Sequence, residues 1–139
     1  MRIVLDTNIY LAALREGGFV FKLFRDLFKP RLGHAVYISP DIKNELEKKI
    51  IIWNHKGWTS SQATEDMHRI IDEFIHVTNP KETIDEIKLD PDDDKILECA
   101  VSAQADLIVT MDRDLLRLKR FRNIGIVHPK TLSFMFPQK

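Results

Sequence analysis

Carboxylates fall at four separated places in this 139-residue chain, each beside an apolar stretch. Asp6 closes the run Ile3-Val4-Leu5, and Asp112 follows the apolar segment 107–110 after one residue. Asp92, Asp93 and Asp94 open the stretch 91–104, and Glu45 lies a turn and a half beyond Ser39-Pro40. Singly, each has an ordinary structural role. An Asp after a strand caps a helix or makes a turn, Glu45 is placed to pair with Lys48 or Lys49, and acids suit a helix start. Together they would raise one another's pKa and destabilise the fold unless a cation compensates. Oxygen-only ligands with no Cys or His pair point to Mg2+ or Mn2+ rather than zinc. A calcium loop starting at Asp90 fails, because its sixth position is Lys95 instead of Gly and its twelfth is Val101 instead of Glu.

The elements that would position these acids follow from apolar periodicity. Strands are expected at Arg2–Leu5, Ala35–Ile38, 74–78, 107–110 and Ile124–Val127. Helices are expected at 9–14, around 19–28, 40–51, 61–72, 91–104, Arg113–Leu118 and 129–136. Ser39 followed by Pro40 is a hydroxyl cap with proline in the first helical position. Residues 54–61 read as a loop, and the polar segment 79–90 has no clear pattern. Strands that are apolar throughout and alternate with helices predict an α/β fold, a three-layer α/β/α sandwich with a mainly parallel central sheet. Chemistry in such sheets gathers outside the carboxyl ends of the strands. All four acidic segments meet that condition.

Bulk composition narrows the class. The length suits a single domain over residues 1–139, and 44% hydrophobic residues suffice for a core. One cysteine, Cys99, excludes an internal disulfide, and no apolar run is long enough to span a membrane, so the expected home is cytoplasmic. Lys plus Arg and Asp plus Glu number 21 each, which argues against a uniformly basic coat protein. The neutral sum is uneven, however. Residues 82–94 hold seven acids against Lys88, whereas 113–130 hold six basic residues against Asp114. Arg113, Arg117, Lys119, Arg120 and Arg122, with Phe121 among them, form a candidate phosphate-tracking edge for nucleic acid. The five histidines are scattered, Trp53 and Trp58 flank the expected loop, and the aromatic stretch 19–28 is mostly core with any exposed remainder suited to a partner.

Four segments, IVLDTNIYLAAL, SPDIKNELEKK, DPDDDKILECA and ADLIVTMDRDLL, resemble the PIN-domain family in its own order over residues 2–116. The resemblance is to the VapC-like toxin components of toxin–antitoxin systems. It implies a Mg2+- or Mn2+-dependent endoribonuclease with Asp6, Glu45, Asp93 and Asp112 as the metal-binding and catalytic acids. Asp94, a position commonly Asn in that group, stays an alternative to Asp93. Asn8 and Thr110 carry over as supporting polar residues. RNA as substrate, an antitoxin protein and a homodimer are what the resemblance implies about partners. Two other classes stay open: a PIN-like RNA-binding or scaffold protein without turnover, and a magnesium-dependent phosphohydrolase. The latter needs a second Asp two residues after the first, where this chain has Asn8.

Overall fold

The computed structural model describes residues 1–86 and 90–136; Lys88 of the acidic stretch lies outside the described residues. Six strands form one sheet: β1 (Arg2–Leu5), β2 (Ala35–Ile38), β3 (Ile75–Val77), β4 (Leu107–Val109), β5 (Arg120–Phe121) and β6 (Ile124–Val127). Their order is β3-β2-β1-β4-β6-β5, with every pairing parallel except that of β5 with β6. Consecutive strand residues point to opposite faces. Ile3, Val4 and Leu5 of β1 and Leu107, Ile108 and Val109 of β4 are nevertheless all buried, so helices cover both faces at the centre. That is why these strands read as unbroken apolar runs.

Among the described residues six α-helices lie between the strands, α1 (Thr7–Ala13), α2 (Phe19–Leu27), α3 (Pro40–His55), α4 (Ser61–Phe74), α5 (Pro91–Ser102) and α6 (Arg113–Leu118), and a seventh, α7 (Pro129–Met135), follows β6. Ser39 caps α3 by accepting from the backbone N–H of Ile42 at 3.3 Å, and Ser60 caps α4 through Ala63 at 3.0 Å. Successive connections carry the chain from β1 to β2 to β3 along one half of the sheet. The next connection returns across β1 to β4, and the chain then runs to the edge strand β5 and turns back into β6, which lies beside β4. The strand order therefore reverses between β1 and β4, where an open α/β sheet forms its crevice. The backbone N–H of Asp6 donates to the carbonyl of Val109 at 3.0 Å, tying the two strand ends together at that point.

Two expectations need correction. The third helix continues to His55, four residues past its expected end, and the loop is correspondingly shorter. Nothing in Ile51-Ile52-Trp53 breaks a helix, and the turn comes only at Gly57, whose φ of 73° suits glycine. The edge strand β5 was not anticipated. Its hairpin turns through Arg122-Asn123 with Arg122 at φ 55°, a non-glycine residue in a conformation normally signalled by glycine.

Candidate metal centre

Asp6 stands at the end of β1 and precedes α1, yet its side chain makes no capping bond to that helix. It accepts instead from Thr110 Oγ1 at 2.7 Å, and the same Oγ1 accepts from the backbone N–H of Asp112 at 2.9 Å. Thr110, fully buried one residue beyond β4, thus joins the two strand-end acids. Asp112 caps α6: its Oδ1 accepts from the N–H groups of Asp114 at 2.8 Å and Leu115 at 3.2 Å. Those bonds fix the carboxylate while committing only one of its oxygens.

Asp93 lies in the first turn of α5 and is 6% exposed. Its Oδ2 is buried and has no hydrogen-bond partner. Carboxylate oxygens of Asp90, Asp93 and Asp112 lie within 4.8 Å of one another. Burial pushes the Asp93 carboxyl up to about 7, and the charges of Asp112, Asp90 and Asp6 reinforce it. Asp6 is also raised, chiefly by burial and further by Asp112 and Glu45, with the Thr110 hydrogen bond acting in the opposite direction. Glu45 therefore belongs to the same field of charge, although its carboxylate is paired to Lys49 at 3.0 Å.

Of the four acids taken from the sequence, Asp93 and Asp112 come together, joined by Asp90; Asp6 is linked to Asp112 through Thr110, and Glu45 stands outside that group, paired to Lys49. Asp94 is equally buried but turns elsewhere: its Oδ1 accepts from the backbone N–H of Glu86 at 3.0 Å. Asp93, not Asp94, joins Asp112. Asp90 was missed as a member of this group. Its signal was the Asp-Pro pair, which makes it the cap of α5, accepting from Asp92 N–H at 3.0 Å at the same helix end as Asp93. Asn8 is exposed and lines an open cleft of about 800 Å3 together with Asp112 and Arg113.

The basic edge is less uniform than its sequence suggests. Arg117 turns back to Asp114 at 3.2 Å. Arg122 makes a two-pronged pair with Glu82 and lies 5.1 Å from the Phe121 ring. Lys119 and Arg120 are exposed at the end of α6 and on β5. Of the five, Arg113 alone lines the cleft beside Asp112.

A family model described as PIN domain matches residues 2–114. The chain belongs to the PIN-domain family. Solved structures with the same fold include VapBC2 from Rickettsia felis bound to a DNA fragment from their promoter. That match has a TM-score of 0.59 and 15% identity, and covers 92% of this chain and 98% of the other. FitAcB from Neisseria gonorrhoeae matches with a TM-score of 0.55, 15% identity and the same coverages. No curated protein matches the chain. The six-stranded, mostly parallel sheet and its helices are the PIN architecture, and its acids stand at the β1/β4 switch point.

Proposed function

We propose that this PIN-domain chain is a Mg2+- or Mn2+-dependent endoribonuclease and the toxin component of a toxin–antitoxin pair. One observation carries the reading: the buried, unpartnered Oδ2 of Asp93, facing other carboxylates at a sheet switch point. A buried carboxylate without a partner is costly, and a chain that keeps one among further acids is organised for a cation. The donor set fits such an ion because every contributing group is a carboxylate oxygen. Asp6, Asp93 and Asp112 would hold it, with Glu45 beside Asp6 and Asp90 beside Asp93. A bound cation would lower the pKa of its water ligand and offset the charge of the scissile phosphate.

The protein's own residues supply position. Thr110 holds Asp6 by donating to it and holds the Asp112 backbone by accepting from it, while the α6 N–H groups orient the Asp112 carboxylate. Without a cation this edge repels phosphate, so metal dependence is a requirement of the reading. An antitoxin partner is supported by the likeness to VapBC2 and FitAcB. A homodimer and a cytoplasmic location complete the proposal. The test is incubation of the protein with a panel of RNAs, with and without Mn2+, beside Asp6→Asn and Asp93→Asn. Cleavage by the parent only with metal, lost in both variants, is expected. Metal-dependent cleavage retained in both variants would sink the assignment.

A further inference from the structure

Away from the acidic centre, the turn at Gly57 folds α4 back against α3. Asn54 Nδ2 donates to Thr64 Oγ1 at 3.3 Å, joining the last turn of α3 to the first turn of α4. Beside that bond lies an open pocket of about 380 Å3. Asn54 and His55 line it from α3, and Thr64, Glu65 and His68 line it from α4. Helical spacing explains the grouping. Residues 54 and 55 share one face of α3 with Ile51, and residues 64, 65 and 68 share one face of α4 with Ser61.

The polar side chains of this pocket divide into two sets. Asn54 and Thr64 are spent on each other, and the Thr64 hydroxyl also donates to the Ser60 carbonyl at 2.9 Å. The side chains of His55, Glu65 and His68 have no hydrogen bond, ion pair or ring contact among the described residues. Their neighbours on α4 are engaged by contrast. Asp66 accepts from Gln62 at 3.0 Å and pairs with Arg69 at 3.2 Å, and Asp72 faces Lys43 at 3.8 Å.

Two imidazoles and a carboxylate without partners thus border one opening. That mixed nitrogen and oxygen set suits a borderline ion such as Zn2+, whereas the carboxylate-only set around Asp93 suits Mg2+ or Mn2+. Three protein ligands leave the fourth tetrahedral position to water. Among the described residues, Asp90, Asp93 and Asp112 are the one group of three whose ligand atoms already lie within 4.8 Å of one another. His55 and Glu65 are exposed and His68 is half-buried, so these uncommitted side chains can rotate onto an ion.

We propose that the α3–α4 pocket is a second metal site, selective for Zn2+-class ions, in which His55, Glu65 and His68 are the protein ligands. Its role is structural. The ion staples the carboxyl end of α3 to α4 beside the corner where Trp53 and Trp58 meet edge-to-face at 5.9 Å between ring centroids. The proposal does not rest on the ribonuclease reading, because none of its ligands belongs to the acidic centre.

The experiment uses the full chain carrying Asp6→Asn and Asp93→Asn, which disables the competing acidic centre. Co2+ is titrated in excess Mg2+, followed by its visible absorption, and then displaced with Zn2+. One equivalent of Co2+ is expected to give the intense bands of a tetrahedral site, which Zn2+ abolishes. In 1H–15N spectra the ring nitrogens of His55 and His68 should shift on adding Zn2+, and those of His34, His76 and His128 should not. His55→Ala, His68→Ala and Glu65→Ala are each expected to weaken Zn2+ binding by about tenfold or more. Glu65→Gln, which keeps an oxygen donor, should lose less than Glu65→Ala. Zn2+ should raise Tm in this chain and leave it unchanged once His55→Ala is added.

A Zn2+ dissociation constant above about 1 mM, equal competition by Mg2+, or unmoved His55 and His68 rings would each overturn the proposal. So would indifference to His55→Ala. Zn2+ bound by the parent but not by the chain with Asp6→Asn and Asp93→Asn would place the ion among the acids and overturn it as well. RNA cleavage in Mn2+ bears on the acidic centre alone, so the two readings fail separately.

Discussion

Around Asp93 and around Asp94 the fold treats the same chemical group in opposite ways. Both side chains are 6% exposed in the first turn of α5. On the Asp94 side three acids have partners. Asp94 accepts from Glu86 N–H, Glu98 accepts from Ile84 N–H at 3.0 Å, and Glu82 pairs with Arg122. These bonds fasten the segment that precedes α5 to that helix and to the edge hairpin. On the Asp93 side one oxygen has no partner and the nearest groups are further carboxylates. A fold able to satisfy Asp94 shows that satisfying an acid at this depth is feasible. The lack of satisfaction one residue earlier is a local cost kept where a ligand can relieve it.

Three measurements test that contrast. The largest expected effect is metal-linked. Mn2+ at about a hundred times its dissociation constant should stabilise the parent by about 2.7 kcal/mol, a rise in Tm of roughly 5–10 °C in thermal unfolding. Asp93→Asn should lose that rise and Asp94→Asn should keep it; equal losses would erase the distinction between the neighbours.

A smaller effect comes from pH. In the metal-free chain the Asp93 carboxyl is pushed up to about 7 from an ordinary value of 3.8. Between those values the folded chain holds a proton that the unfolded chain has released. Stability from this group therefore increases as pH falls from above 7 towards 4 and decreases as pH rises through 7. Denaturant unfolding across that window should show the trend in the parent and a flatter one in Asp93→Asn. A parent whose stability falls with acidification throughout the window would contradict the burial of Asp93 among like charges.

The smallest effect belongs to the satisfied side. Asp94→Ala removes an acceptor from a part-buried N–H and should cost about 1 kcal/mol, a fall in Tm of a few degrees. Asp93→Asn, measured without metal, should leave Tm unchanged or raise it, since it removes a charge that nothing balances. A larger loss of stability from Asp93→Asn than from Asp94→Ala would mean that Asp93 is structural.

Much of this was legible in the chain. The central strands declared themselves because burial on both faces leaves no polar positions in Ile3-Val4-Leu5 or Leu107-Ile108-Val109. The cap Ser39 with Pro40 marked the start of α3, whereas its end at His55 was not marked. Asp6 and Asp112 were found because each follows a strand, Asp93 because it lies in the first turn of α5, and Glu45 because it lies early in the helix after β2. Asp90 was not, because as a helix cap it already had a sufficient local role, and a capping bond to one oxygen leaves no trace in sequence of where the other points. His55 and His68 escaped notice as neighbours because they share a pocket only once α4 packs on α3. The run 113–130 misled in the other direction, since counting basic residues does not reveal that Arg117 and Arg122 are already engaged.

Local chemistry therefore determined the alternation of strand and helix, the parallel sheet and the strand ends at which acids would gather. Those follow from periodicity and from capping, both properties of a few adjacent residues. Which of two adjacent carboxylates faces the cluster, which arginines are engaged, and that α3 and α4 together border one pocket were decided only by tertiary structure. Each depends on groups far apart in the chain, as Thr110 on Asp6 and Arg122 on Glu82 do. A charge has a sign in the sequence, but it acquires a partner only when the chain is folded.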